Sequence, residues 1–316
     1  RWSGTKHGIG CASGSDALLL SLMVLDIKPG DEVICPSFTF FATASPVTRL
    51  GATPVFVDID PVTFNIDPAA LEAAITPNTK AVIPVHLFGQ CADMPRIMEI
   101  CDRTGLTVIE DAAQAIGANI AGRAAGSWGQ VGCISFYPTK NLGGFGDGGM
   151  LVTNDVDFED RLRLFAGHGM RPRYHHQVIG INSRLDTIQA AALNVKMKHL
   201  ESANLARQTN AQLYTALFDD AGLEADIVLP HSTYGTGHVW NQYTVRVKNG
   251  QRDSLKEFLA ERNIGAEIYY PIPVHAQKCF QTCPSIDMDL TETNRAADEV
   301  LSLPIFPELE ESEIHA

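Results

Sequence analysis

The sequence predicts an α/β protein. A large domain is built on a mostly parallel sheet sandwiched by helices, and a smaller α+β domain follows it. Three observations lead there. In the first half, continuous apolar runs alternate with amphipathic segments, the pattern of strands buried on both faces and of the helices that cover them. Near residue 186 a long helical pattern replaces that alternation. Beyond it, alternating and amphipathic segments mix, which marks a second unit.

Taken in order, "SDALLLSLMVLDI" reads as the first helix, with Ser13 or Ser15 as its N-cap. "DEVICPS", "TPVFVDI", "KAVIPVH" and "LTVIED" read as buried strands. "FATASPVTRLG", "DPAALEAAI" and "MPRIMEICDRTG" are the helices between them. "VGCISFY" and "GGMLVTND" add two more strands. Residues 186–223 form one long helix or a helix pair. "HVWNQYTVRV" alternates as a half-exposed strand, and "QRDSLKEFLAERNI" is an amphipathic helix closed by Gly265. The large domain is placed at 1–196 and the small one at 197–316, the linking helix included.

The chain has 316 residues, 45% hydrophobic and 19% charged, a balance that supports a sizeable core. A net charge of -13 speaks against a nucleic-acid partner. Seven scattered cysteines without a CxxC pair indicate neither a zinc site nor a disulfide framework. They fit a reducing cytoplasm. No apolar run reaches the ~18 residues of a membrane span. The text opens at Arg1 and stops in what reads as a starting helix, so both ends are expected to continue.

Four clusters lie at or near predicted strand ends, where ligands bind in such sheets. In "ASGSDALLLSL" small residues precede a helix whose free N–H groups favour a phosphate, although ordinary capping explains them as well. In "VIEDAAQA" Glu110 and Asp111 follow a strand; a carboxylate there caps a helix or holds a cationic ring nitrogen. "CISFYPTKNLGGFGDGG" sets Ser135 and Lys140 between a strand and a loop of five glycines. A lysine held there is partly desolvated, with a lowered pKa and a nucleophilic amine, whereas a loop lysine is usually solvated. Gly144, Gly146 and Gly149 match GxGxxG, but "MLVTND" after them is a strand where a dinucleotide fingerprint needs a helix. The last cluster, Arg161 to Arg184, holds five arginines, three histidines and no acid. It offers a local positive field for a polyanionic small molecule; the bland explanation is a solvated basic face. Its adjacent His175 and His176 lack metal-ligand spacing, and no metal site is expected. Together, a phosphate cradle, an acid for a ring nitrogen and a desolvated lysine are the parts of a pyridoxal 5'-phosphate site.

At this point the chain resembles the DegT/DnrJ/EryC1/StrS group of nucleotide-sugar aminotransferases, a branch of the fold-type I pyridoxal phosphate enzymes. The resemblance is carried by "ASGSDAL", "PSFTFFATA", "GATPVFVDID", "PVHLFGQ", "VIEDAAQAIGA", "SFYPTKNLGGFGDGGMLVT", "IGINSRLDTIQAA" and "YYPIPVH", from Cys11 to His275. It implies an aspartate-aminotransferase-like fold, with Lys140 as the Schiff-base lysine and Asp111 paired with the pyridine nitrogen. Gln114 reaches the ring hydroxyl and Phe40 stacks on the ring. Gly14, Ser15 and Ser135 hold the phosphate, joined by Asn182 from the neighbouring subunit of a homodimer with shared sites. Arg184, Tyr270 and His275 approach the sugar nucleotide.

Ser15 stands where threonine is common in the family, and the family's amino-terminal segment is missing from this text. Lys140 argues against relatives that carry histidine there and act as dehydratases. The implied reaction moves an amino group from glutamate to a keto-sugar on a nucleotide diphosphate, for amino-sugar, surface-polysaccharide or antibiotic biosynthesis. "RYHHQVIGINSRLD" is similar to members that aminate a 3-keto sugar. Arg184, then Arg171 and Arg173, are the arginines assigned to the diphosphate. The competing readings are a fold-type I aminotransferase for free amino acids and a non-catalytic regulatory protein that keeps the fold. No nucleic acid or membrane partner is expected.

Overall fold

The computed structural model describes residues 2–316. The apolar runs become strands because each can be buried along its whole length. β1 (His7–Cys11) leads to α1 (Gly14–Val24), capped by Ser13, whose hydroxyl accepts from the Asp16 N–H. Then follow β2 (Glu32–Pro36), α2 (Ser45–Arg49), β3 (Thr53–Val57), α3 (Pro68–Ala73), β4 (Thr79–Val82), α4 (Met94–Thr104) and β5 (Thr107–Asp111). A small ribbon, β6 (Asn119–Ile120) and β7 (Arg123–Ala124), precedes β8 (Val131–Ser135), β9 (Gly149–Thr153) and α5 (Val156–Ala166). Every residue of β2 and β8 is buried, as two-sided cover requires.

The large sheet has the order β1-β9-β8-β5-β4-β2-β3, and β9 runs against its neighbours. One core packs α1 and α5 on one face of it, with Leu20, Leu22 and Leu162 fully buried. The other face packs α3 and α4 through Leu71, Met94 and Ile97.

Of the one long helix or helix pair expected, the structure forms a pair, α6 (Thr187–Lys196) and the 22-residue α7 (Leu200–Ala221). A second sheet follows, made of β10 (Ile227–Val228), β11 (Tyr243–Val247) and β13 (Val300–Leu303). With it go α8 (Arg252–Glu261), β12 (Ile286–Asp287), α9 (Thr291–Glu299) and α10 (Glu311–Ile314). β12 returns to the large sheet and extends it beyond β3, Ile286 pairing with Val55. Among the described residues, no helix is long and apolar enough to cross a membrane.

Two sequence expectations are corrected. The strand in "HVWNQYTVRV" begins at Tyr243, and all five of its residues are buried. Tyr214 of α7 stacks on Tyr243 at 5.0 Å, and Arg246 is buried by pairing with Glu299 at 2.9 Å. The alternation therefore counted a paired arginine as an exposed one. Nor does Gly265 close α8. Asn263 does, with φ of 60°, while the Ile264 N–H reaches the Leu259 carbonyl at 2.9 Å. Asparagine tolerates that left-handed turn and replaces the usual glycine.

Candidate active site

The carboxyl ends of the parallel strands open into a cavity of ≈ 580 Å³. Gly14, Ser15, Phe40, Asp111, Gln114, Ser135, Lys140 and Tyr270 all line it, so eight of the site residues expected from sequence meet at one place.

Each is delivered by its element. Asp111 ends β5 and is buried. Its Oδ2 accepts from the Thr43 hydroxyl at 2.8 Å and its Oδ1 from the Ala113 N–H at 3.2 Å. Burial raises its pKa, while those two bonds, Lys140 and His86 pull it down. Glu110, its neighbour, points to the other face, as strand alternation demands. It accepts from the N–H groups of Gly126, Trp128 and Gly129. His86 Nδ1 accepts from the Ala92 N–H, so the proton sits on Nε2, which donates to Glu110 at 2.9 Å. The two carboxylates that look alike in "VIEDAAQA" are thus separated: Glu110 braces a loop and Asp111 faces the cavity.

Lys140 closes the turn that starts at Tyr137, its N–H donating to the Tyr137 carbonyl at 2.9 Å. It is half-buried, and burial holds its amine below the ordinary lysine range against the opposing pull of Asp111. An amine of lowered basicity is more readily available as a nucleophile and a base. The Gln114 amide is fixed at both ends, accepting from the Phe88 N–H at 2.7 Å and donating to the Tyr270 hydroxyl at 3.2 Å. The Phe40 ring is 56% exposed and lies 6.1 Å from that of Tyr270, free on its cavity side.

The amino end of α1 meets β8 at close range. A Cβ on Gly14 would come within 2.8 Å of the Ser135 Cβ, and one on Gly149 within 2.4 Å of the Ser13 carbonyl. Only bare backbone fits, and it leaves first-turn N–H groups and two hydroxyls facing one spot, as a phosphate requires. The residues fit pyridoxal phosphate: an anion cradle, an acid and an amine line one cavity.

The other expected residues lie elsewhere. His275 is outside the cavity wall, its Nδ1 hydrogen-bonded to the Ser37 hydroxyl at 2.7 Å. Asn182 and Arg184 are exposed and do not line this chain's cavity. The basic stretch is not the uncompensated patch it reads as. Its first residues belong to α5, and acids just upstream pair with it. Arg171 makes a two-pronged bridge to Asp160 at 2.7 and 2.8 Å, and Arg163 pairs with Glu159. Arg173 stacks over the Tyr174 ring. Sequence reasoning missed Thr43, Gln242 and Tyr269. Thr43 stands four residues after Thr39 in "SFTFFATA", but which hydroxyl meets Asp111 depends on the short helical turn at Phe41–Thr43.

Comparison with known proteins bears on the family and the fold. The chain is 51% identical over 312 residues to a "pleiotropic regulatory protein" of Geobacillus stearothermophilus, covering 99% of this chain and 83% of the relative. It is 50% identical to a UDP-N-acetyl-3-dehydro-alpha-D-glucosamine 3-aminotransferase of Acidithiobacillus ferrooxidans, covering 99% and 82%. Among solved structures, a DegT DnrJ EryC1 StrS aminotransferase from Brucella abortus matches with a TM-score of 0.93 and 42% identity, covering 99% of this chain and 84% of that one. The description DegT/DnrJ/EryC1/StrS aminotransferase family fits residues 1–316. By fold and by sequence, the chain belongs to the DegT/DnrJ/EryC1/StrS aminotransferase family.

Proposed function

We propose that this protein transfers an amino group from glutamate to the 3-keto position of a sugar carried on a nucleotide diphosphate, with pyridoxal phosphate as cofactor. The observation that carries the reading is the half-buried Lys140 amine set against the buried Asp111 in one cavity. When bound, pyridoxal phosphate supplies an aldehyde that condenses with amines and a ring that accepts electrons from the adjacent carbon.

This chain's residues supply the rest. Gly14, Ser15 and Ser135 hold the phosphate, and Phe40 flanks the ring. Asp111 keeps a proton on the ring nitrogen by its charge. The Lys140 amine, its basicity lowered by burial, would in its unprotonated form move the proton between the donor's carbon and the cofactor. Relatives support the choice of acceptor: that of Acidithiobacillus ferrooxidans is named for a UDP-linked 3-dehydro sugar, and one of Pseudomonas aeruginosa at 44% identity for a UDP-linked 3-oxo-glucuronate. The regulatory name of the Geobacillus relative supports a second, non-catalytic reading.

Absorbance separates the two. The holo-protein should lose its near-visible band on addition of glutamate and regain it with a nucleotide 3-keto-sugar. A band that glutamate leaves untouched favours the regulatory reading.

The homodimer with shared sites is part of the same proposal. Phe145 and Ile179, 80% and 92% exposed, support it as apolar surface near the glycine loop and Asn182. Asn182 and Arg184 would then serve the partner's cavity, Arg184 by gripping the diphosphate. Chains bearing Lys140→Ala, mixed with chains bearing Asn182→Ala and Arg184→Ala, should recover about a quarter of wild-type turnover, since half the dimers are mixed and each holds one intact site. Mixed dimers that form and stay inactive overturn the shared site.

A further inference from the structure

The residue after Lys140 has an environment of its own. Asn141 does not line the cavity. Its Nδ2 donates to Asn204 Oδ1 on α7 at 2.8 Å and to the Val239 carbonyl at 2.9 Å. Its Oδ1 accepts from Asn241 Nδ2 at 2.8 Å. Asn204 in turn donates to the Ile116 carbonyl at 3.2 Å, and its amide nitrogen lies against Gly117, where a Cβ would come within 2.7 Å. The backbone carbonyls of Val239 and Ile116 can only accept, so they fix which end of Asn141 and Asn204 is nitrogen. The three amides form one directed chain, from Asn241 through Asn141 to Asn204.

Its far ends reach the site again. The Asn241 N–H donates to the Phe88 carbonyl at 2.9 Å, and the Phe88 N–H donates to Gln114 Oε1 at 2.7 Å. Ile116 lies two residues past Gln114.

We propose that Asn141, Asn204 and Asn241 are positioning residues that fix the direction of Lys140 and tie it to α7 and to the segment entering β11. The proposal rests on Lys140 being the reacting amine. A lysine stem is flexible, and the five glycines that follow it have no side chains with which to anchor the loop. Phe136 and Gln189 hold the glycines further along through backbone groups, and next to Lys140 itself the side-chain anchors are Asn141 and the buried Leu142. The depressed basicity of the Lys140 amine fits a side chain held away from solvent. The other titratable groups around the cavity are Asp111 of β5, Asp147 of the glycine loop, Tyr137, Tyr269 and Tyr270.

The test is competitive acetylation of the full chain by trace acetic anhydride across pH, with Lys140 followed by peptide mass spectrometry and Tm measured alongside. It works without added cofactor, so it decides the positioning role even where the activity reading fails in the glutamate assay. Asn141→Ala and Asn204→Leu should move the Lys140 labelling midpoint upward, toward an ordinary lysine, with a several-fold loss of labelling at about pH 8. The other lysines should not move. Asn241→Ala, which removes one bond and a buried oxygen without a partner, is the milder variant and decides the matter if the others do not fold. With pyridoxal phosphate bound, the glutamate half-reaction should slow while its KM holds. Leu217→Ala, in the separate core of the small unit, is the control: it should lower Tm and leave the midpoint alone. A lowered Tm with an unmoved Lys140 midpoint in the asparagine variants overturns the proposal, because the amides would then only brace the fold.

Discussion

Lys140→Ala is expected to reduce amino transfer by about 10²–10⁴-fold, the range for loss of a positioned acid–base group. It should also abolish the label that borohydride leaves on the chain in the presence of pyridoxal phosphate. Both follow from one placement. The amine is half-buried, its basicity is depressed by burial, and it shares the cavity with Asp111. Alanine removes nucleophile and base together without disturbing the turn, whose bond from residue 140 to Tyr137 is made by backbone. Peptide mapping of the reduced wild-type protein checks the assignment, and a label on any other lysine refutes it.

Asp111→Asn should slow the reaction by about 10²–10³-fold, the usual loss when one preorganised electrostatic contact is removed. Its effect on stability has the opposite sense. Burial raises the Asp111 pKa in the folded chain, against weaker opposing hydrogen bonds and charges. A carboxyl shifted upward adds stability fully below its unfolded value and loses that contribution as pH rises through its folded value. Above that point the cofactor-free fold holds a desolvated charge, and asparagine relieves it. The Thr43 hydroxyl can turn to accept from the new amide. Cofactor-free Asp111→Asn should therefore melt no lower than wild type at about pH 8, while the Tm gain on adding pyridoxal phosphate shrinks. If Asp111 merely capped the following segment, melting would show a loss of about 1 kcal/mol with near-normal turnover.

The parallel core was legible because buried strands are written as unbroken apolar runs, and β2, β3 and β8 fall where those runs do. β1 and β12 were not: "HGIGC" mixes glycine with a histidine, and Ile286–Asp287 is too short to show a period. Within the site, Lys140 and Asp111 were legible because glycines and strand ends flag such positions. Phe40, Gln114 and Tyr270 came from the family resemblance. The partners that tune them were not readable. Thr43, His86 and the asparagine chain act through contacts between segments far apart in sequence, and nothing in one string of letters pairs Asn141 with Asn204 or Asn241. The basic stretch misled for a related reason, since its compensating acids, Glu159 and Asp160, lie just outside the window that was read.

The return of β12 to the large sheet has a consequence for how the protein is made. On the ribosome, β3 is an open edge until Ile286 has emerged, and Tyr270 cannot meet Gln114 until most of the chain is out. Parallel pairing across such distances is slow, and an unpaired edge invites other chains to add to it. The growing polypeptide is thus at its most vulnerable to aggregation late in translation, when chaperones have most to offer it.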